Sequence, residues 1–265
     1  MPSRRSRGRV PRLRSVAAAG LLVASLGGCT SDGGPTDETN STSATGSTGG
    51  GSTGSVTPEA IPLEVFVYNV EYGGDESTDA VIEDVDADVV GVLESYNRLP
   101  EIAENTGYPY YNVSLQILSK YPIHEPSGAE GRYALIEVRP GEVVAFFNIH
   151  LDYVRYGPKL LRNGATVEEV LASEDEVRTS ALDVPLRLMD ELIQQGYPVF
   201  FTGDHNEPSS LDWTDATAAA RPDVDEAVAW PVSEAILGLG FHDTFRDIHP
   251  NPVEVPGITH EGAGD

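Results

Sequence analysis

The chain has 265 residues, 40% of them apolar, enough for one packed core of ordinary size. Acidic residues outnumber basic ones 42 to 17, and six of the 17 fall within the first 14 residues, so the remainder carries a net charge of −31. Such a body repels polyanions, which argues against general nucleic-acid binding. The single cysteine, Cys29, excludes an intramolecular disulfide, a thiolate zinc cluster and a cysteine nucleophile in the folded part.

Residues 1–14 contain six arginines and no acid, residues 16–27 (VAAAGLLVASLG) are apolar or small, and Cys29 follows Leu26-Gly27-Gly28. This layout resembles a bacterial lipoprotein signal, so residues 1–29 are expected to be a leader and a lipidated Cys29 the point of membrane attachment. The apolar run is shorter than the ~20 residues a bilayer span needs. The protein is therefore expected outside the cytoplasm, anchored at the membrane or secreted. Residues 30–60 are mostly Gly, Ser, Thr, Asn and Asp. They predict a flexible tether, which over ~28 residues reaches roughly 30 Å. The folded domain is expected over 61–265, as a monomer.

Beyond the tether, "LEVFVYNV" (Leu63 to Val70) is apolar on both faces and rich in β-branched and aromatic residues, which predicts a central strand. In "TDAVIEDVDA" (Thr78 to Ala87), Val81, Ile82 and Val85 share one helical face behind a Thr or Ser cap. "DVVGVLES" (Asp88 to Ser95) then predicts a buried strand. After "YYNVSLQILS" (Tyr110 to Ser119), "YALIEV" and "VVAFFNIHL" predict a hairpin turned by Arg139-Pro140-Gly141-Glu142. An irregular stretch, 152–169, leads to a helix predicted over Glu174 to Gln195, interrupted near Pro185 and stopped by Gly196. "YPVFFTG" (Tyr197 to Gly203) predicts another buried strand. Helices alternating with antiparallel pairs point to an α/β sandwich rather than a Rossmann sheet.

Four of these strands end in polar groups that their apolar bodies do not explain: Asn69 after "VFVY", Glu94 after "VVGVL", His150 after "FFNI", and Asp204 with Asn206 after "VFFTG". Singly, a strand-end Asn or Asp is a turn former. Together, two carboxylates, two amides and an imidazole make the oxygen-rich set that suits Mg²⁺ or Mn²⁺, with donors for a phosphate. Arg155, Lys159 and Arg162 follow His150 closely. In so acidic a chain they are either solvated loop charges or a foothold for an anionic substrate. Asp152, beside His150, is placed either to orient the imidazole or to add a metal oxygen.

The stretches "VYNVEYGG", "DVVGVLES", "ILSKYPI", "FFNIHLD" and "FFTGDHNEPSS", in this order, closely resemble the motifs of the endonuclease/exonuclease/phosphatase superfamily, over about Leu63 to Asp265. The resemblance implies a deoxyribonuclease-like sandwich of two mixed sheets flanked by helices. It implies a divalent-metal-dependent phosphoesterase using Mg²⁺ or Mn²⁺, whose substrate is a phosphate ester in a small molecule, a lipid head group or extracellular nucleic acid. Residue by residue, it implies Glu94 as the principal metal carboxylate, with Asn69 supporting the metal or its water. His150 would donate to a non-bridging phosphate oxygen, Asp204 would position or deprotonate the attacking water, and Asn206 would hold the pentacovalent phosphate. His205 stands where the family commonly has an aromatic or aliphatic residue and is read as packing.

Asp243 in "FHDTFRD" resembles a loop aspartate of the family and is expected to be structural. The family's closing strand with Arg-Ile-Asp-Tyr, and its later Ser-Asp-His, find no counterpart in "GITHEGAGD", and His260 is not taken as a substitute. The expectation is a sequence cut short by a few tens of residues, lacking the C-terminal strands. The alternative is a non-catalytic, surface-tethered binding relative of the same fold.

Overall fold

The computed structural model describes residues 20–22 and 60–259. The rest of the expected leader with Cys29, the tether before Ala60, and His260 lie outside them. The chain divides into two compact units, residues 1–22 with 63–265 and residues 23–62, and the account below concerns the first. No helix among the described residues is long and apolar enough to cross a membrane.

Two mixed β-sheets carry this unit. The first has the order β1 (Gly20–Leu22), β2 (Leu63–Asn69), β3 (Val89–Leu93), then β5 (Ile117–Ser119) with β4 (Tyr110–Asn112) outermost. The second runs β6 (Ile123–His124), β7 (Ala134–Arg139), β8 (Glu142–His150), β9 (Val199–Asp204). β2 pairs parallel with β3, and β8 with β9; the other neighbours are antiparallel. Gly20–Leu22, read in the sequence as part of a leader, pairs its backbone with the outer edge of β2.

Alternation along the strands sorts the side chains. Phe66 of β2 joins Ile82 of α1 (Glu76–Val85) and Leu99 and Ile102 of α2 (Leu99–Thr106) in one cluster. Ala145 and Phe147 of β8, with Val199 and Phe201 of β9, pack on Leu188, Met189 and Leu192 of the helix Asp183–Gln194. With a period of two, Asn69 in the first sheet and Phe146, Asn148, His150, Phe200, Thr202 and Asp204 in the second are left on the faces between the sheets. Asn148 is buried there, its Nδ2 donating to the Leu115 and Gln116 carbonyls at 3.0 Å each. Gly91 of β3 leaves room for it, since a Cβ at that position would collide with the Asn148 amide.

Register then delivers the polar ends. His150 is opposite Asp204 in the β8/β9 pair, and Asn69 is opposite Leu93, one residue before Glu94, in the β2/β3 pair. Gly203 sits at φ 137° in register with Ile149, and a Cβ there would run into the Ile149 carbonyl. Only glycine fits between these two strands just before Asp204.

Several elements differ from expectation. α1 begins at Glu76, two residues before Thr78, because Asp75 is the cap: its carboxylate accepts from the Ser77 and Thr78 amides, while the Thr78 hydroxyl meets the Asp75 N–H. The predicted "YYNVSLQILS" run is a short hairpin, β4 and β5, folded on a turn at 113–116. The irregular 152–169 stretch contains a helical turn, α3 (Gly157–Arg162), and the start of α4 (Val167–Val177), capped reciprocally by Thr166 and Glu169. The long helix breaks at Arg178 into a 3₁₀ turn, Thr179–Leu182, and α5 (Asp183–Gln194), not at Pro185. Pro185 lies in the first turn of α5, where the amide it lacks would have no intrahelical partner. Three further helices close the chain: α6 (Asp215–Ala220), α7 (Pro231–Gly238) and α8 (Thr244–Ile248).

Candidate active site

Four strand ends meet in one place. Asn69 Nδ2 donates to Glu94 Oε1 at 3.1 Å and to Asp204 Oδ2 at 3.0 Å, which joins the two sheets through a single amide. His150 Nε2 stands 3.9 Å from Glu94 Oε1 and 4.0 Å from Asp204 Oδ2. Asn206, three residues past the Gly203 pinch, sends its backbone N–H to Asp204 Oδ1 at 3.0 Å and its Nδ2 to the Leu151 carbonyl at 2.9 Å. The side chains of Glu94, His150 and Asp204 keep roughly a quarter to a third of their surface open to solvent.

The backbone at this rim is unusually shaped. Of the nine non-glycine residues with positive φ among the described residues, Glu71, Tyr72, Glu94, Tyr96, Arg155 and Asn206 all belong to loops that leave these strand ends. Left-handed backbone disfavours L side chains, so such a concentration has to be held by its surroundings. Glu94 Oε2 accepts from the Tyr72 amide at 3.2 Å, and Gly73 N–H donates to the Glu94 carbonyl at 2.9 Å. Arg98 Nη1 donates to the Gly73 carbonyl while its Nη2 is paired at 2.7 Å with the buried Asp79 of α1, which also accepts from Asn105. The loop bearing Tyr72 is thus tied to both helices of the first sheet.

Above the cluster lies a cavity of about 470 Å³ lined by Tyr72, Glu94, Tyr96, Val113, Gln116, His150 and Tyr153. Tyr72, Tyr96 and Tyr153 are strongly exposed. No Lys or Arg is among the lining residues. Gln116 is held by Ser95, whose N–H and Oγ both donate to its Oε1 at 3.0 Å.

The residues singled out from the sequence divide into two groups. Asn69, Glu94, His150, Asp204 and Asn206 come together. Arg155, Lys159 and Arg162 are exposed and none lines the cavity; Arg155 is bound to Glu176 at 2.8 Å, which holds its pKa above the usual guanidinium value. Asp152 builds a turn, accepting from the Val154 amide at 2.6 Å. Asp243 caps α8 through the Phe245 and Arg246 amides, a structural part. His205 stacks on Phe201 at 4.5 Å with Nε2 buried and unpartnered, and burial holds its pKa down to about 4, so it stays neutral in packing. The tyrosine rim, Gln116 and Ser95 were not singled out in the sequence; their signal, tyrosines beside Gly-Gly and Ser-Asn turns, is too common to distinguish.

Two carboxylate oxygens, Glu94 Oε1 and Asp204 Oδ2, converge on one amide hydrogen-bond donor in a mouth without cations, which favours positive charge. Hard oxygens in that number fit Mg²⁺, which keeps several waters and takes one or two carboxylates. They do not form a cage, and among the described residues no three His, Cys, Asp or Glu side chains are grouped as ligands. Asn69 turns its nitrogen to the carboxylates and its oxygen to the Glu71 amide at 3.0 Å, so it clamps the acids and supports a metal only through them.

No family model matches the chain. A protein of Caenorhabditis elegans described as uncharacterized is 31% identical over 212 residues, a match covering 72% of this chain and 65% of the nematode protein. The chain therefore spans less than two thirds of that relative's length.

Proposed function

We propose that this protein is a metal-dependent phosphoesterase of the endonuclease/exonuclease/phosphatase superfamily, with a deoxyribonuclease-like sandwich, acting outside the cytoplasmic membrane from an anchor at Cys29. The observation that carries the reading is the meeting of Asn69, Glu94, His150 and Asp204 from four strand ends within 4.0 Å. Structural roles alone leave that convergence unexplained, since turn-forming residues have no need to share one point.

A bound Mg²⁺ or Mn²⁺, held by Glu94, would neutralise charge on the phosphate and stabilise the departing alkoxide. The chain's own residues do the rest. Asp204, about one third open to solvent, accepts a proton from an attacking water and orients it in line with the phosphorus. His150 donates from Nε2 to a non-bridging oxygen. Asn206 spends one amide hydrogen on Leu151, which fixes its direction, and keeps the second for the phosphate. Asn69 holds the two acids at a constant separation.

The mouth also bears on substrate. Three exposed tyrosines and an absence of lining cations, on a body with net charge −31, favour a single phosphate attached to a small molecule or a lipid head group over a polyanion. The test is hydrolysis of bis(p-nitrophenyl) phosphate and p-nitrophenyl phosphate by the full chain, with Mg²⁺, with Mn²⁺ and with chelator. Turnover of either ester only with metal, lost on Glu94→Ala, supports the reading; turnover of neither under any condition overturns it.

A further inference from the structure

Beside the site, α4 and the residue that ends it carry two wholly buried charges, Glu174 and Arg178. Arg178 Nη1 donates to Glu174 Oε2 at 2.6 Å, and its Nη2 donates to the Val154 carbonyl at 3.0 Å, in the loop that follows His150. A second acid approaches from the other strand-end loop. Glu207, one residue after Asn206, caps α7 by accepting from the Val232 amide at 2.8 Å and the Ser233 amide at 3.1 Å through Oε1. Each acid keeps one buried oxygen without a well-formed hydrogen bond, Glu174 Oε1 and Glu207 Oε2; the Gly157 amide is close enough to act on Glu174, and the two carboxyls lie within hydrogen-bonding reach of each other. Gly157 makes the space: a Cβ there would collide with Glu174 Oε1 and with Trp230.

Two ionised carboxylates cannot face each other in such a place with one guanidinium between them, whereas a single proton satisfies both leftover oxygens at once. We infer that Glu207 is held protonated and donates to Glu174, and that this bond, with Arg178, is a positioning device that locks the Asp204–Asn206 loop and the 151–156 loop onto α4 and α7. Burial pushes the Glu174 carboxyl up as well, but the Arg178 guanidinium opposes that at Glu174, so the proton resides on Glu207, whose pKa is pushed up to about 8 by burial first and by Glu174 after the opposing Ser233 amide. The other charged or titratable groups around the cluster are Tyr156, Arg155, Arg162 and Asp204, with Glu234 in the first turn of α7. None of them supplies a donor to the two leftover oxygens.

The sign follows from linkage. A carboxyl that binds its proton more tightly folded than unfolded loses stability as pH rises from its unfolded value, near 4.5, through about 8. Glu207→Gln supplies an N–H toward Glu174 and an oxygen for the α7 amides, and does not titrate. The experiment is thermal unfolding of the full chain from pH 6 to pH 9 for wild type, Glu207→Gln and Glu207→Ala, with hydrogen exchange at the Asn206, Val232 and Ser233 amides. Glu207→Gln should match or exceed wild type at pH 6, gain on it up to about pH 8, and hold most of that gain to pH 9. The gain in the folding equilibrium should reach about tenfold or more, the amides staying protected. Glu207→Ala should lose both stability and protection throughout. Parallel wild-type and Glu207→Gln curves, or a Glu207→Gln variant as weak as Glu207→Ala, would overturn the inference. These readouts do not involve hydrolysis, so they stand apart from the proposed activity.

Discussion

The molecule holds two pairs of carboxylates in opposite environments, Asp204 of one pair standing three residues from Glu207 of the other. Glu94 and Asp204 sit at a solvent-open rim, share one neutral amide donor and have no cation beside them in the mouth. Glu174 and Glu207 sit beneath the adjoining loops, against a buried guanidinium and the N-terminus of α7. The same functional group thus serves two ends. Where water reaches it, an acid pair can keep the charge that the proposed metal site needs; where water does not, the proposed pair gives up a charge and becomes a structural bond.

Substitutions should separate the two pairs by what they damage. The largest effect is expected at the open rim, where Glu94→Gln or Asp204→Asn should lower phosphate-ester hydrolysis by about 10²–10⁴-fold with the melting temperature little changed. Steady-state kinetics beside a thermal melt checks both halves. At the buried pair the order reverses. Arg178→Met leaves Glu174 charged without a counter-ion and should cost about 3–5 kcal/mol in urea unfolding, with activity lost only as the fold is lost. Between the sheets, Asn148→Ala strips the donor from the Leu115 and Gln116 carbonyls. It should cost about 1–3 kcal/mol by the same measurement. The smallest effect belongs to the rim tyrosines: Tyr72→Ala or Tyr153→Ala should weaken substrate binding by about 0.5–1.5 kcal/mol, seen as a higher KM at constant kcat.

The sequence makes some of this legible and hides the rest for physical reasons. The strands around Phe66, Val90, Phe147 and Phe200 declare themselves because buried strands are apolar on both faces. Their polar ends stand out for the same reason, which is why Asn69, Glu94, His150, Asp204 and Asn206 could be picked out together. The helix break at Arg178 could not be found that way. It depends on Arg178 being drawn to Glu174 one turn back and to the Val154 carbonyl in the distant loop after His150, and Pro185 was the stronger local signal although it fits the first turn of α5. The basic run after His150 misled in the other direction. Arg155 looks available in the sequence but is taken up by Glu176 across the α4 surface. The tyrosine rim depends on left-handed turns at Tyr72 and Tyr96, which hydrophobic patterning does not report.

The central claim is that residues from four strand ends make one cation-binding centre. Mn²⁺ binding to the full chain, followed by the paramagnetic resonance of free Mn²⁺, addresses it most directly, with Glu94→Gln and Asp204→Asn alongside. The account predicts a tight stoichiometric site in the wild type that Glu94→Gln abolishes and Asp204→Asn weakens, against a background of weak surface binding common to all three. Indistinguishable titrations for the three proteins would contradict it.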